Sequence, residues 1–188
     1  MRVIAGTYRS RPLRSLPGLD LRPTSDRLRE TLFNVLTAGN PLALEDTVWI
    51  DLYAGTGAVG IEALSRGAAM VYFVESSSKA AELVHRNLQS LGINANFEII
   101  KQDTARALQT LEARKLAADF VFLDPPYRME DAYKQTLEVI AGASFLKPGG
   151  MVIAEHAKRF DPGEEFGQMR RSRQLKQGDS ALSFYRRN

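Results

Sequence analysis

The sequence predicts an α/β fold, a Rossmann-like sheet of mostly parallel strands with a small basic hairpin at its front. Three observations predict it. From residue 48 onward, short apolar runs alternate with helical stretches, the pattern of repeated βαβ units. The first run opens into "DLYAGTGAVGIE" (51–62), where Gly55, Gly57 and Gly60 are spaced as in a nucleotide-binding turn between a strand and a helix. Four of the runs end in an acid, which places Asp51, Glu75, Asp103 and Asp124 on one edge of a parallel sheet.

The expected strands are "VWIDL" (48–52), "VYFVE" (71–75), "FEIIKQD" (97–103), the run that opens "DFVFLDPPY" (119–127) and "MVIAEH" (151–156). Their Val, Ile and Phe content suits strands covered on both faces. Helices are expected between them at "AVGIEALSRG", over 77–91, at "TARALQTLEARK" and at "EDAYKQTLEVIAGA". The helix over 77–91 carries Leu83, Val84, Leu88 and Leu91 on one face and meets Gly92 as its stop. "LKPGG" (146–150) is expected to break the chain before the fifth strand. At the front, residues 1–16 read as an arginine-rich hairpin, followed by a loop through Pro17 and Gly18 and a helix near 24–38. The division that follows is a basic hairpin extension over 1–22 and a Rossmann-like domain over 23–188. At the back, 168–176 and 180–187 read as an antiparallel hairpin closed around "QGDS".

Composition narrows the chemistry. A chain of 188 residues with 44% hydrophobic content is long enough for one domain with a real core and short for two. It contains no cysteine and only two histidines, His85 and His156, so metal-dependent chemistry is disfavoured and no metal site is expected. No apolar run has the length of a signal peptide core or of a membrane span, so a cytoplasmic protein without membrane contact is expected. The net charge of +3 conceals a segregation. Residues 1–29 hold seven arginines against two acids, 30–157 hold ten basic against sixteen acidic residues, and 158–188 hold eight basic against four. Basic ends around an acidic middle suggest that both ends meet a polyanion.

The glycine turn taken alone fits a dinucleotide site, since Glu75 follows Gly55 at about the 20-residue distance of a ribose-binding acid. The four carboxylates on the same edge argue otherwise, because they would repel a pyrophosphate. They favour a guest with hydroxyls and a positive centre, and S-adenosylmethionine has a sulfonium, an ammonium, a ribose diol and no phosphate. Asp51 under the glycine turn suits the ammonium or a water network. Gly55 and Gly57 let the backbone approach the nucleoside, Glu75 accepts the ribose hydroxyls, and Asp103 with Thr104 faces the adenine.

"LDPPY" (123–127) supplies the reaction. Pro125 and Pro126 have no N–H, so with the Asp124 carboxylate their carbonyls are expected to form a cluster of acceptors. Such a cluster suits the exocyclic amino group of a nucleobase, whose nitrogen gains positive charge as it attacks a methyl group. Tyr127 offers a face on which the base can stack, and the target nucleotide must be single-stranded or flipped out to reach it.

At this point "DLYAGTGAVGIEALSRGA", "FVE", "LDPPY" and "LRPTSDRLRETLFNVL" resemble the RsmD family of bacterial class I methyltransferases. That family uses S-adenosylmethionine to methylate the N2 amine of a guanine in small-subunit (16S) ribosomal RNA. The resemblance covers nearly the whole chain, and its most specific part is the front element "RPT-DR-RETLFN". It implies that Asp51, Tyr53, Gly55, Thr56, Gly57, Glu75, Asp103 and Thr104 line the cofactor site. It implies too that Asp124, Pro125, Pro126 and Tyr127 hold the guanine amine, and that Thr24 and Arg27 lie near the cofactor's methionine end or the entering base. Tyr53 and Thr56 stand where the family often has Phe and Ser. Arg2, Arg9, Arg11 and Arg14 are expected, from charge and position, to grip RNA phosphates. The expected partner is small-subunit ribosomal RNA, free or within an assembling or assembled subunit, and nothing demands more than a monomer.

Two alternatives stand beside this reading. "DPPY" also serves adenine amines in DNA adenine-N6 methyltransferases, but those usually carry an inserted module to read a groove, and the gap from Asp103 to Asp124 has room for one helix. A non-catalytic RNA-binding module with a vestigial cofactor fold is the other, against which an intact "DPPY" and glycine turn both speak.

Overall fold

The computed structural model describes residues 1–15 and 25–187. Helix α1 (Asp26–Leu36) begins where the Ser25 hydroxyl accepts the Leu28 amide at 3.1 Å, and it turns Leu28, Leu32 and Phe33 inward. The loop through Pro17 and Gly18 and the expected boundary at residue 22 lie outside the described residues.

Four strand–helix units and a fifth strand follow: β1 (Val48–Leu52), α2 (Ala58–Ser65), β2 (Met70–Val74), α3 (Ser78–Leu91), β3 (Phe97–Ile100), α4 (Thr104–Ala113), β4 (Ala118–Leu123), α5 (Glu130–Gly142) and β5 (Leu146–Ala157). The chain closes with β6 (Glu165–Phe166), β7 (Met169–Gln177) and β8 (Ser180–Arg187). All eight strands join one sheet in the order β3-β2-β1-β4-β5-β8-β7-β6. The first five pair in parallel, while β8 runs antiparallel to β5 and β7 antiparallel to β8. One edge of the sheet therefore collects the C-terminal ends of β1 to β5, the end of β7 and the start of β8. Open α/β sheets bind ligands at that edge.

Alternation along β1 builds the two layers. Trp49 points to the α1–α3 side, where its ring stacks between Phe33 (5.5 Å) and Phe120 (4.6 Å), while Ile50 and Leu52 point to the α4–α5 side with Leu108, Leu137 and Ile140. Helix α2 lies so close to the sheet that a Cβ on Gly60 would sit 2.3 Å from the Phe73 ring and 2.7 Å from Val71. The third glycine of the turn thus serves helix–sheet packing.

One expectation needs correction. "LKPGG" does not break the chain ahead of the fifth strand but belongs to β5, as an irregularity between the Ala118↔Leu146 and Phe120↔Met151 pairs. Gly149 takes φ 78° within the bulge, Lys147 binds Asp119 of β4 at 2.8 Å, and pairing resumes at Met151. The expected front hairpin is present in a short, irregular form: around the Arg2↔Pro12 bridge the Val3 amide donates to the Arg11 carbonyl at 3.0 Å, the Ser10 amide to the Val3 carbonyl at 2.9 Å and the Leu13 amide to the Met1 carbonyl at 3.1 Å. Its other amides reach α2 and α3. Glu62 accepts from Ile4 at 2.7 Å and Ala5 at 3.0 Å, the Ser65 carbonyl accepts from Thr7 at 2.8 Å, and Asn87 accepts from Arg14 at 2.8 Å. Residues 1–15 form a strap tied to the helices by buried side chains.

Candidate active site

The glycine turn is braced by carboxylates. Asp51 lies on β1 between Phe73 of β2 and Phe122 of β4, and its Oδ2 accepts the Gly60 amide at 2.9 Å. Gly57, at the N-cap of α2, has no side chain to serve the first turn, so Asp51 caps the helix from nine residues upstream. Burial pushes the Asp51 carboxyl up to about 7; the Gly60 bond opposes this and nearby Glu75 reinforces it. Tyr53, Gly55 and Gly57 all take positive φ (59°, 56° and 77°), which turns the chain tightly between β1 and α2.

Glu75 follows β2 directly. Its Oε2 accepts the Gly55 amide at 3.0 Å and its Oε1 the Ser77 amide at 2.8 Å, tying the turn to the start of α3. Each oxygen retains a lone pair for a further donor. Asp103 caps α4 by accepting the Arg106 amide at 3.0 Å and remains exposed. Asp103 and Thr104 lie with Tyr53, Ser76, Leu108 and Met129 around a cavity of about 270 Å³. The Thr56 carbonyl accepts from Asn87 of α3 at 2.9 Å, which holds the turn against the helix.

The second half of the site follows β4. Asp124 is partly buried beside Asp51 and Glu155, and its carboxyl is raised well above the usual carboxylate range, by burial first and then by those two neighbours. The prolyl carbonyls are not as open as the sequence implies. The Tyr133 hydroxyl stands 3.1 Å from the Pro125 carbonyl and 2.9 Å from that of Glu155, sharing its proton between them, and Pro126 accepts the Met129 amide at 2.7 Å. Buried carbonyls must find donors, and these two have found one each. Each has a second lone pair, which leaves Asp124 and the Pro125 carbonyl as acceptors for a guest. Tyr127 is half-buried, with its hydroxyl 2.8 Å from the Ser180 hydroxyl of β8 and 3.4 Å from a Glu155 oxygen.

The expected residues fall into three groups. Asp51, Tyr53, Gly55, Thr56, Gly57, Glu75, Asp103, Thr104 and the turn 124–127 lie along the one sheet edge. Arg27 is exposed on α1, and Thr24 lies outside the described residues. Arg2, Arg9, Arg11 and Arg14 are exposed on the strap, with Arg11 donating to the Ser90 carbonyl of α3 at 2.9 Å.

Several residues that matter here were not singled out in the sequence. Glu155 is a buried acid in β5 beside Asp124, and its only sequence sign is a carboxylate inside the apolar run "MVIAEH". Tyr133 ties α5 to the Pro125 turn. Glu62, fully buried in the apolar helix "AVGIEALS", gathers the Ile4 and Ala5 amides, Arg66 at 2.7 Å and the buried Arg29 at 3.8 Å. Arg29 in turn donates to the Arg2 carbonyl and to Asp26. The front element thus has a structural reason for its sequence: its arginine crosses from α1 to the strap and α2. His156 is buried in β5, bonded to Ser183 at 2.9 Å, and burial keeps its imidazole below the usual value. It is a structural group.

A parallel sheet with a glycine turn after β1, an acid after β2 and Asp-Pro-Pro-Tyr after β4 defines a Rossmann-like methyltransferase of class I. Solved structures agree: the Escherichia coli protein yhhF, described as a candidate methyltransferase, has 28% identity and a TM-score of 0.84, covering 100% of this chain and 98% of its own. The candidate methylase HI0767 of Haemophilus influenzae has 30% identity and a TM-score of 0.76 over 99% and 97%. The family described as "Conserved hypothetical protein 95" matches residues 1–186, and the chain belongs to it, the RsmD family of methyltransferases. Among curated relatives, ribosomal RNA small subunit methyltransferase D of Haemophilus influenzae is 36% identical over 84% of this chain and 79% of its own length. YlbH of Bacillus subtilis, named as a candidate rRNA methyltransferase, is 33% identical over 100% of this chain and 99% of its own.

Proposed function

We propose that the protein transfers a methyl group from S-adenosylmethionine to the exocyclic N2 amine of a guanine in small-subunit ribosomal RNA. The observation that carries the reading is Asp124, held in the rigid Pro125–Pro126 turn next to buried Asp51 and the glycine turn, so that an amine acceptor and a cation-seeking site share one edge. The names of the relatives support the substrate class.

The residues fit the cofactor. Asp51 is a buried carboxylate with one protein donor, Gly60, and has capacity for an ammonium. Glu75 keeps lone pairs for two ribose hydroxyls, and the cavity between Tyr53, Asp103 and Met129 suits a flat base. When bound, the cofactor supplies an electrophilic methyl on a sulfonium. The chain's own residues do the rest. Asp124 and the Pro125 carbonyl accept the two N–H bonds of the amine, point its nitrogen at the methyl and stabilise the positive charge that grows on it. Asp124 stands nearest to receive the proton released as the nitrogen becomes secondary. Tyr127 stacks on the base, and its bonds to Ser180 and Glu155 fix the ring. The strap arginines Arg2, Arg9 and Arg14 face the RNA backbone, with residues 1–22 acting as the RNA-facing extension.

The test offers S-adenosylhomocysteine and NAD in calorimetry, then a labelled methyl donor with naked small-subunit RNA, assembled small subunits and duplex DNA. Binding of S-adenosylhomocysteine alone and label in RNA guanine are expected. Label in DNA adenine would replace the reading with the adenine-N6 alternative. Asp124→Ala should abolish transfer with cofactor affinity within a few-fold; a large loss of cofactor binding would show Asp124 acting elsewhere.

A further inference from the structure

Past Tyr127 the sheet edge continues into a second cavity, of about 520 Å³, lined by Tyr127, Ala157, Lys158, Arg159, Lys176 and Asp179. Three segments build it: the end of the Asp-Pro-Pro-Tyr turn, the loop after β5 and the turn between β7 and β8. They are locked together by the Tyr127–Ser180 bond and by the Lys158 amide donating to the Asp179 carbonyl at 2.8 Å. We propose that this cavity is a subsite for the sugar–phosphate of a nucleotide flanking the target guanine, with Lys158, Arg159 and Lys176 holding its phosphate. The proposal rests on the RNA reading above and names a part of the substrate that the motifs do not address.

The structure separates the cations of the basic C-terminal end: three have internal partners, three line the cavity, and Arg173 and Arg186 are exposed away from it. Of its eight basic residues, Arg170 is paired with Glu165 at 2.9 Å, and Arg171 with Asp161 at 2.6 Å and Glu164 at 3.0 Å. Arg187 donates to three carbonyls at the end of α5, those of Ile140, Ala141 and Ala143. These three cations serve the fold. Lys158, Arg159 and Lys176 are exposed and converge on one concavity with a single acid, Asp179. Three cations gathered from the loop after β5 and the end of β7, beside an aromatic ring at the reaction centre, suit an anion attached to the reacting group. A phosphate neighbouring a base stacked on Tyr127 is such an anion.

Placement along the sheet supports the same conclusion. The strap lies on α2 and α3, over the β1–β2–β3 half, whereas this cavity lies over β5, β8 and β7. The β4 turn that would receive the base stands between them. A strand held at both places would present one nucleotide to Asp124 and be gripped on either side, which holds the target out of its stack.

The test substitutes Lys158→Gln, Arg159→Gln and Lys176→Gln together in the full chain, with a charge-matched control carrying Arg86→Gln, Arg114→Gln and Lys134→Gln. Binding of small-subunit ribosomal RNA is measured across a salt series, beside cofactor affinity. The subsite variant should bind RNA about tenfold more weakly, with a salt slope shallower by roughly 0.7 for each phosphate that is no longer neutralised. Its cofactor affinity should stay within twofold, and the control should match the wild type. RNA affinity and slope equal to those of the control would overturn the subsite while leaving the methyltransferase reading intact. A wild-type protein that neither bound nor methylated RNA would overturn both.

Discussion

Replacing Glu62 by Gln tests whether the front strap is held by one buried carboxylate. The substitution keeps the shape and removes the charge. In the wild type the carboxylate is fully buried, accepts the Ile4 amide at 2.7 Å, the Ala5 amide at 3.0 Å and Arg66 at 2.7 Å, and lies 3.8 Å from Arg29. Gln offers a single acceptor oxygen and turns an NH2 toward the remaining donors, so one amide loses its acceptor, Arg66 loses its counter-ion, and the buried Arg29 keeps Asp26 but loses the buried charge beside it. Breaking a buried ion pair by removing one member costs about 3–5 kcal/mol, because the other charge stays buried. For a chain of this size that is roughly 6–20 °C in Tm. The assay is thermal unfolding with amide exchange read at Ile4 and Ala5, which should lose protection before the sheet does. Glu82→Gln, which breaks the exposed Arg86 pair at 3.1 Å, is the control and should cost under about 0.5 kcal/mol. If Glu62→Gln matched that control and both amides stayed protected, the carboxylate would not be what holds the strap.

Three further outcomes are expected. Asp51 is raised from 3.8 to about 7 in the folded protein, so the folded state binds a proton that the unfolded chain releases, and stability should fall as pH rises from about 4 to about 7 and level off above. Asp51→Asn should flatten that fall, by up to about 4 kcal/mol, and parallel stability curves for the two proteins would refute the assignment. For the same reason cofactor affinity in the wild type should drop about tenfold per unit of pH below about 7, measured by calorimetry, if the ionised carboxylate is what binds the ammonium. Tyr133→Phe strips a donor shared by the Pro125 and Glu155 carbonyls; it should cost about 1–3 kcal/mol of stability and lower kcat more than it changes the KM for RNA. Unchanged turnover would show that the Pro125 carbonyl needs no such anchor.

The parallel core was legible because its signals are local and periodic. Five apolar runs, four helical segments and the Gly92 stop lie where the pattern puts them, and the edge acids follow from strand direction alone. The segment "LKPGG" misled because Pro and Gly mark a turn in most settings, and only pairing with β4 shows that they are absorbed as a bulge. The prolyl carbonyls misled for a related reason: a missing N–H is visible in sequence, whereas the Tyr133 hydroxyl that occupies Pro125 comes from the next helix.

By itself the sequence determined the sheet, the glycine turn, the order of the edge acids and the Asp-Pro-Pro-Tyr turn, since each depends on residues within one strand–loop–helix unit. Tertiary structure decided what those groups are free to do. It brought Glu155 beside Asp124 and Asp51, committed Glu62 and Arg29 to the strap, and divided the C-terminal cations between internal partners and an open cavity. Burial and pairing depend on which distant segments meet, and no local pattern encodes that.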